Sequence, residues 1–254
     1  MTAPTDALSA FALLSKGCLR RELGRAPIRA LWKHILLPIA IVAFVSVLDT
    51  GAPLRDRWPP LAAAGAIWLL FANSVNQGGM MLWHERWLLR QAVVPPALLL
   101  AAATLVPLGL FAVHLSLVHL ALLASALPRG GAGVETLLGG GIAAAFGLGA
   151  GIFAARVTEV RPTFTLMLPK LILASLVLTP VFYPLSALDG LKGAWCVANP
   201  LCVATELGRA GMLLHVDPLP RHAVGIACAS SSAILCWGLL TLRGHSFVWA
   251  DEHV

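Results

Sequence analysis

From Pro95 or Pro96 to about Ala126 the chain runs apolar, longer than the roughly 20 residues a helix needs to cross a hydrocarbon core of about 30 Å. A segment of this kind in lipid has no water for its backbone N–H and C=O groups, so it must satisfy them within a helix. Five further stretches read the same way: Trp32–Leu48, Pro60–Leu82, Val134–Ala155, Phe164–Leu185 and Ala223–Leu242. Pro107 lies within the longest run, where a tilt or kink is expected. Charged residues make up only 12% of the 254, and hydrophobic ones 58%. Soluble domains carry about 25% charged residues, so the expected class is an all-α membrane protein with six transmembrane helices. A single transmembrane domain is expected over residues 1–254: an N-terminal segment 1–31, the spans over 32–242, and a tail at 243–254.

Orientation follows from Lys and Arg in the loops. Lys16, Arg20, Arg21, Arg25, Arg29 and Lys33 precede or open the first span, and Arg86, Arg90, Arg156, Arg161 and Arg243 fall on the same side. Arg55, Arg57, Arg129, Lys192, Arg209 and Arg221 fall on the other. The bias puts both termini in the cytoplasm. The net charge of +6 is then mostly a topology signal, and its scatter argues against a nucleic-acid partner. The first run ends "SVLDTG" without a small-residue cleavage pattern, which predicts a retained span rather than a removed signal peptide.

Residues Ala7–Leu23 form a candidate interfacial helix lying on the lipid bilayer. Leu8, Phe11, Leu14, Cys18 and Leu19 recur at steps of three and four, with Lys16, Arg20 and Arg21 opposite. Leu13 breaks the pattern, and Gly24 and Pro27 end the helix.

Several chemistries are excluded by their missing signatures. There is no GxxxxGK[ST] and no GxSxG, so neither a P-loop nor a hydrolase elbow is expected. "WHERWL" begins like HExxH but has Leu88 in place of the second His, and His114 and His119 stand five apart, off a common helical face. Five cysteines make no CxxC pair, and a disulfide between Cys196 and Cys202 stays open. The spans hold no chain of Asp, Glu and His for a proton relay.

Three polar or small-residue patterns remain. Asn73, Asn76 and Gln77 share one helical face, either bonding a neighbouring helix or lining a wet path. Gly139, Ala143, Gly147, Gly151 and Ala155 place a small residue at every fourth position, which permits close helix approach. In "LWHERWLLRQAVVPP", Trp83 and Trp87 share one side of a short surface helix and Arg86 and Arg90 another; this is an anchored loop or a docking surface.

The fifth run interrupts itself at "TPVFYPLS", Thr179–Ser186, where Pro180 and Pro184 remove backbone donors around Tyr183, the one tyrosine of the chain. After it come an amphipathic piece at Leu188–Val197, a break at Asn199–Pro200 and a second piece at Leu201–Leu214, none long enough to span. The expectation is a re-entrant helical hairpin between spans five and six, on the extracytoplasmic side. Such a hairpin is tolerated only where protein or a water-filled cavity covers it.

These segments, in order, resemble the permease subunit of ABC transporters that export polysaccharides: the O-antigen, teichoic acid and capsule exporters. The resemblance rests on "RRELGRAPIRALWKHILLPI", on "GAIWLLFANSVNQGG", on "TEVRP", on "TPVFYPLS" followed by "NPL" and "ELGRAGML", and on the tail "FVWADEHV". Where the family carries Arg-Asp, this chain has Thr158-Glu159. The resemblance implies a bacterial inner-membrane protein. Two copies would form a pore that moves a glycan, lipid-linked in some members, with periplasmic export partners beyond it. It implies two separate ATPase subunits carrying ATP and Mg, and no cofactor in this chain. Trp83, Glu85, Arg86, Trp87 and Arg90, with Glu159 and Arg161, would meet the ATPase. Asn73, Asn76, Gln77, Phe182, Tyr183, Trp195, Asn199, Glu206 and Arg209 would line the pore or its periplasmic gate. A permease for a drug or lipid, or a membrane enzyme or scaffold, are the alternatives.

Overall fold

The computed structural model describes residues 4–23, 54–84, 96–125, 133–183, 197–213 and 219–244, together with Ala40 and Ala194. Its elements are helices throughout: α1 Pro4–Leu23, α2 Leu54–His84, α3 Pro96–Ala124, α4 Gly133–Val160, α5 Phe164–Leu178, α6 Pro200–Met212 and α7 Arg221–Gly244. No strand occurs among the described residues. The expected first span, Trp32–Leu48, and the hairpin piece Leu188–Val197 lie outside them apart from Ala40, Ala194 and Val197.

Four helices are long and apolar enough to cross a membrane: segments Trp58–Gly79, Leu98–Ala124, Gly133–Thr158 and Arg221–Leu242. They mark a membrane protein and coincide with expected spans two, three, four and six. The fifth differs. Span five was expected to reach Leu185, but α5 stops at Leu178 after 15 residues, about 22 Å at 1.5 Å per residue. Thr179 leaves the helix in an extended conformation (φ −100°, ψ 141°). Pro180 follows at once and has no N–H to continue the ladder.

α4 is the centre of the molecule, lying against α2, α6 and α7. Its regularly spaced small residues explain why. A Cβ on Gly147 would stand 2.7 Å from Phe71 O and 2.8 Å from Ser74 Cβ, and one on Gly139 would stand 2.6 Å from Ala204 O. The small-residue ridge is therefore the contact face of α4 toward α2 and α6, where backbones meet with no side chain between them. Around this contact, Ile67, Leu70, Phe71 and Val75 of α2 cluster with Phe111 of α3, Ile142 of α4 and Leu201, Val203 and Leu207 of α6. The rings of Phe71 and Phe146 stack 5.5 Å apart.

A second cluster joins Leu99, Leu100 and Val106 of α3 to Ile152 of α4 and Leu242 of α7. Leu14 of α1 packs on it, so α1 lies along α3. Phe11 and Leu14 are half-buried, Lys16 and Arg20 are exposed, and Leu13 is 70% exposed. That is the expected amphipathic division, with Leu13 off the packed face for the reason its spacing gave; the side chains of Leu8, Cys18, Leu19 and Arg21 are outside the described set. Elsewhere the exterior is apolar, with Leu105 and Leu120 of α3, Leu173 and Val177 of α5 and Leu240 of α7 all exposed. An apolar exterior on long helices is what a lipid environment accepts and water does not.

Candidate functional site

The polar centre of the molecule lies where α5 ends and α6 begins its packing. Thr179 N–H still donates to Ser175 O at 2.9 Å, and Val181 N–H turns back onto Thr179 O at 2.7 Å. Among the described residues no backbone N–H reaches the carbonyls of Pro180 and Val181. Both residues are buried, so these oxygens need partners from elsewhere.

α6 supplies them. Its start is fixed by Asn199, whose Oδ1 accepts from Leu201 N–H at 3.0 Å, with Pro200 in the first turn. An Asn cap followed by Pro is a strong start signal, because Pro needs no donor there and is already set at helical φ. The helix runs 13 residues and is buried on all sides except at Ala210. At about 20 Å it is too short to cross a bilayer. It is seated by protein: a Cβ on Gly208 would stand 2.6 Å from Ile67 Cγ1, so α6 lies directly on α2.

Two charged residues sit inside this helix, Glu206 at 3% and Arg209 at 2% exposure. Three residues apart, they share a helical face, and Arg209 Nη1 donates to Glu206 Oε1 at 2.5 Å. The other donors of the guanidinium go to backbone. Nη2 donates to Pro180 O and, at 2.8 Å, to Val181 O; Nε donates to Pro60 O at 3.3 Å. One side chain thus joins α6 to the end of α5 and the start of α2. The fork of arginine can do this because it holds five N–H groups in a rigid plane. A buried ion pair repays its desolvation only with such added hydrogen bonds. The interruption at "TPVFYPLS" therefore has a receiver built into α6.

The remaining expected site residues fall at distinct places. Phe182 is 37% exposed just past the α5 terminus. Tyr183 is half-buried, its hydroxyl 3.4 Å from Val177 O. Trp195 is outside the described residues. Asn73, Asn76 and Gln77 are half-buried on α2, on the side away from Phe71, Ser74 and Gly78, which face α4. Arg161 is exposed at the α4–α5 joint; the side chains of Trp83 and Glu159 and all of Glu85, Arg86, Trp87 and Arg90 are outside the described set. Cys202 is buried, with Sγ 3.9 Å from Leu178 O, while Cys196 is outside the described residues.

Sequence reasoning missed three participants. Trp68 Nε1 donates to Ser175 Oγ at 3.1 Å and ties α2 to α5. Arg156 Nη2 donates to Thr241 O at 2.8 Å and ties α4 to α7. The Pro60 carbonyl completes the Arg209 cluster. An indole within a span or a guanidinium at its edge is visible in sequence, but its backbone or hydroxyl partner on another helix carries no residue-type signal. His114 and His119 each direct Nδ1 at the carbonyl four residues back, Leu110 O at 2.7 Å and Leu115 O at 2.9 Å. Chemically, the Arg209 cluster balances its own charge and is built to hold backbone in place.

No protein-family model matches this chain, and no curated protein does either.

Proposed function

We propose that this chain is the membrane-spanning permease subunit of an ATP-driven exporter that moves a polysaccharide or lipid-linked glycan out through the inner membrane. The observation that carries the reading is α6: a short, buried helix after a broken span, of the kind tolerated at membrane depth only beside a pathway or within protein. In this reading Trp32–Leu48 is the first of six spans, both termini are cytoplasmic, and two copies enclose the pore. Two partner ATPases would bind ATP and Mg and dock on the loop after α2. Phe182 and Tyr183, beside the α5 end, would meet sugar rings as they leave, with Asn73, Asn76 and Gln77 along the path.

The test is reconstitution. Purified protein in proteoliposomes, together with a co-expressed nucleotide-binding ATPase subunit, is expected to hydrolyse ATP faster than that ATPase alone and to accumulate glycan in the lumen of inverted vesicles. Stimulation by hydrophobic drugs or lipids, with no glycan moved, would shift the cargo to the alternative class. No stimulation by any cargo would remove the transporter reading.

Two further outcomes are expected. Reversal of Arg86 and Arg90 to Glu leaves insertion intact and weakens ATPase docking, by about 1 kcal/mol per residue for exposed charges; unchanged co-purification would take the loop out of the mechanism. Engineered cysteines at Asp56, Gly131 and Asp189 should react with an impermeant reagent added outside intact cells, and those at Glu85 and Glu159 should not. External labelling at Glu85 would overturn the six-span arrangement.

A further inference from the structure

α5 is held unequally along its length. Phe164 and Leu168 in its N-terminal half are only half-buried, and Leu166, Met167, Pro169, Lys170 and Leu171 are exposed. Within the helix only Ile172 is buried, and Leu173, Val177 and Leu178 face outward, but the chain just past its C-terminal end is buried at Thr179, Pro180 and Val181. Polar ties lie toward the same end. Trp68 reaches Ser175, and Arg209 reaches the carbonyls of Pro180 and Val181. Among the described residues, no hydrogen bond joins the N-terminal half of α5 to another helix. Its only bonds there are local ones, such as Phe164 N–H to Arg161 O at 2.9 Å and Thr165 Oγ1 to Pro162 O at 2.7 Å.

In lipid this asymmetry decides what moves. Lipid tails cover an apolar helix face as well as a neighbouring helix does, so sparse apolar contact gives little to resist separation. A guanidinium held on α6 by Glu206 and bonded to two buried carbonyls at the end of α5 resists it, because moving away would leave Nη2 and both carbonyls without those hydrogen bonds. We infer that α5 is a lever pinned at its C-terminal end by Arg209, with its N-terminal half free to swing away from α2 and α4. The joint at Arg161–Thr163, between α4 and α5, takes up the change of angle. The inference goes beyond the transport reading and holds or fails without any cargo or ATPase.

The experiment uses the full-length protein in lipid nanodiscs, with the five native cysteines replaced by alanine and labelled chains diluted with unlabelled ones. Nitroxide pairs are placed at exposed positions so that packing is undisturbed: Met167 with Leu240 for the free half, Val177 with Ile226 for the pinned half. Pulsed electron resonance then gives a distance distribution for each. The Met167–Leu240 distribution is expected to be broader than the Val177–Ile226 one by about twofold, as segments with few contacts sample more positions. Equal widths, or a broader pinned half, overturn the lever. Arg209→Gln should widen the Val177–Ile226 distribution toward that of the free half, whereas Glu206→Gln, which keeps the guanidinium on the two carbonyls, should leave it narrow. An Arg209→Gln protein with an unchanged Val177–Ile226 width removes Arg209 as the pin. If that variant does not fold, the comparison of the two pairs with Arg209 intact still decides whether α5 is held at one end.

Discussion

Arg209→Met is expected to lose about 3–5 kcal/mol of stability, the range for breaking a buried ion pair by removing one partner. The cause is not the missing attraction alone. Glu206, at 3% exposure, would lose its ion pair with Arg209 inside a buried helix. The carbonyls of Pro180 and Val181 would lose their donor at the same time. A second substitution separates the two costs. In Glu206→Leu/Arg209→Met the buried carboxylate is gone as well, and apolar replacement of a buried pair is often neutral or better. The stranded carbonyls remain, at about 1–3 kcal/mol for an unsatisfied buried group. The double variant should therefore recover part of the loss and stay measurably below the parent protein in denaturant-induced unfolding from detergent micelles. Full recovery would show that Arg209 serves only to neutralise Glu206, and that the end of α5 does not depend on it.

How much of this could be read from the chain depends on which physics was local. The spans at Pro60–Leu82, Val134–Ala155 and Ala223–Leu242 were legible because a bilayer imposes its length on any apolar helix, and α2, α4 and α7 contain them. The stop at the TPVFYPLS stretch is legible as proline chemistry, yet the apolar run continues seven residues past the end of the helix. The helix ends at Leu178 rather than Leu185 because Pro180 and the extended Thr179 act before Pro184 does. α6 was placed within two residues at each end, since Asn199 and Pro200 announce a helix start. The pairing of Glu206 with Arg209 could have been read from their spacing of three. Their shared burial, and the reach of Arg209 to Pro60, Pro180 and Val181, could not. Those partners are backbone oxygens on segments distant in sequence, and any residue type could have offered them. The same holds for Trp68 and Ser175, 107 positions apart.

The small-residue ridge of α4 supports the second large prediction. Gly151→Leu is expected to prise α2 from α4 and to cost at least the roughly 1–3 kcal/mol typical of overpacking. The obstacle is backbone: a Cβ there would press on Val75 O and stand 3.0 Å from Gly79 N and 3.1 Å from Gly78 Cα. None of these can rotate aside as a side chain would, so accommodating the new group means moving a whole helix. That movement would also part Gly147 from Phe71 and Ser74 and loosen the cluster of Ile67, Leu70 and Val75. Gly141 is the matched control. It lies on the same helix, is exposed, and a Cβ there would meet nothing within 4 Å. Leu at that position faces open space and gains up to about 1 kcal/mol of helix propensity over Gly. The two variants change the same residue type to the same residue type, so composition and unfolded-chain effects cancel between them. Thermal unfolding in detergent should separate them clearly, with Gly141→Leu at or above the parent and Gly151→Leu well below it. Equal midpoints would mean that α2 and α4 do not meet backbone to backbone, and that the every-fourth spacing of small residues reflects only a Gly- and Ala-rich stretch.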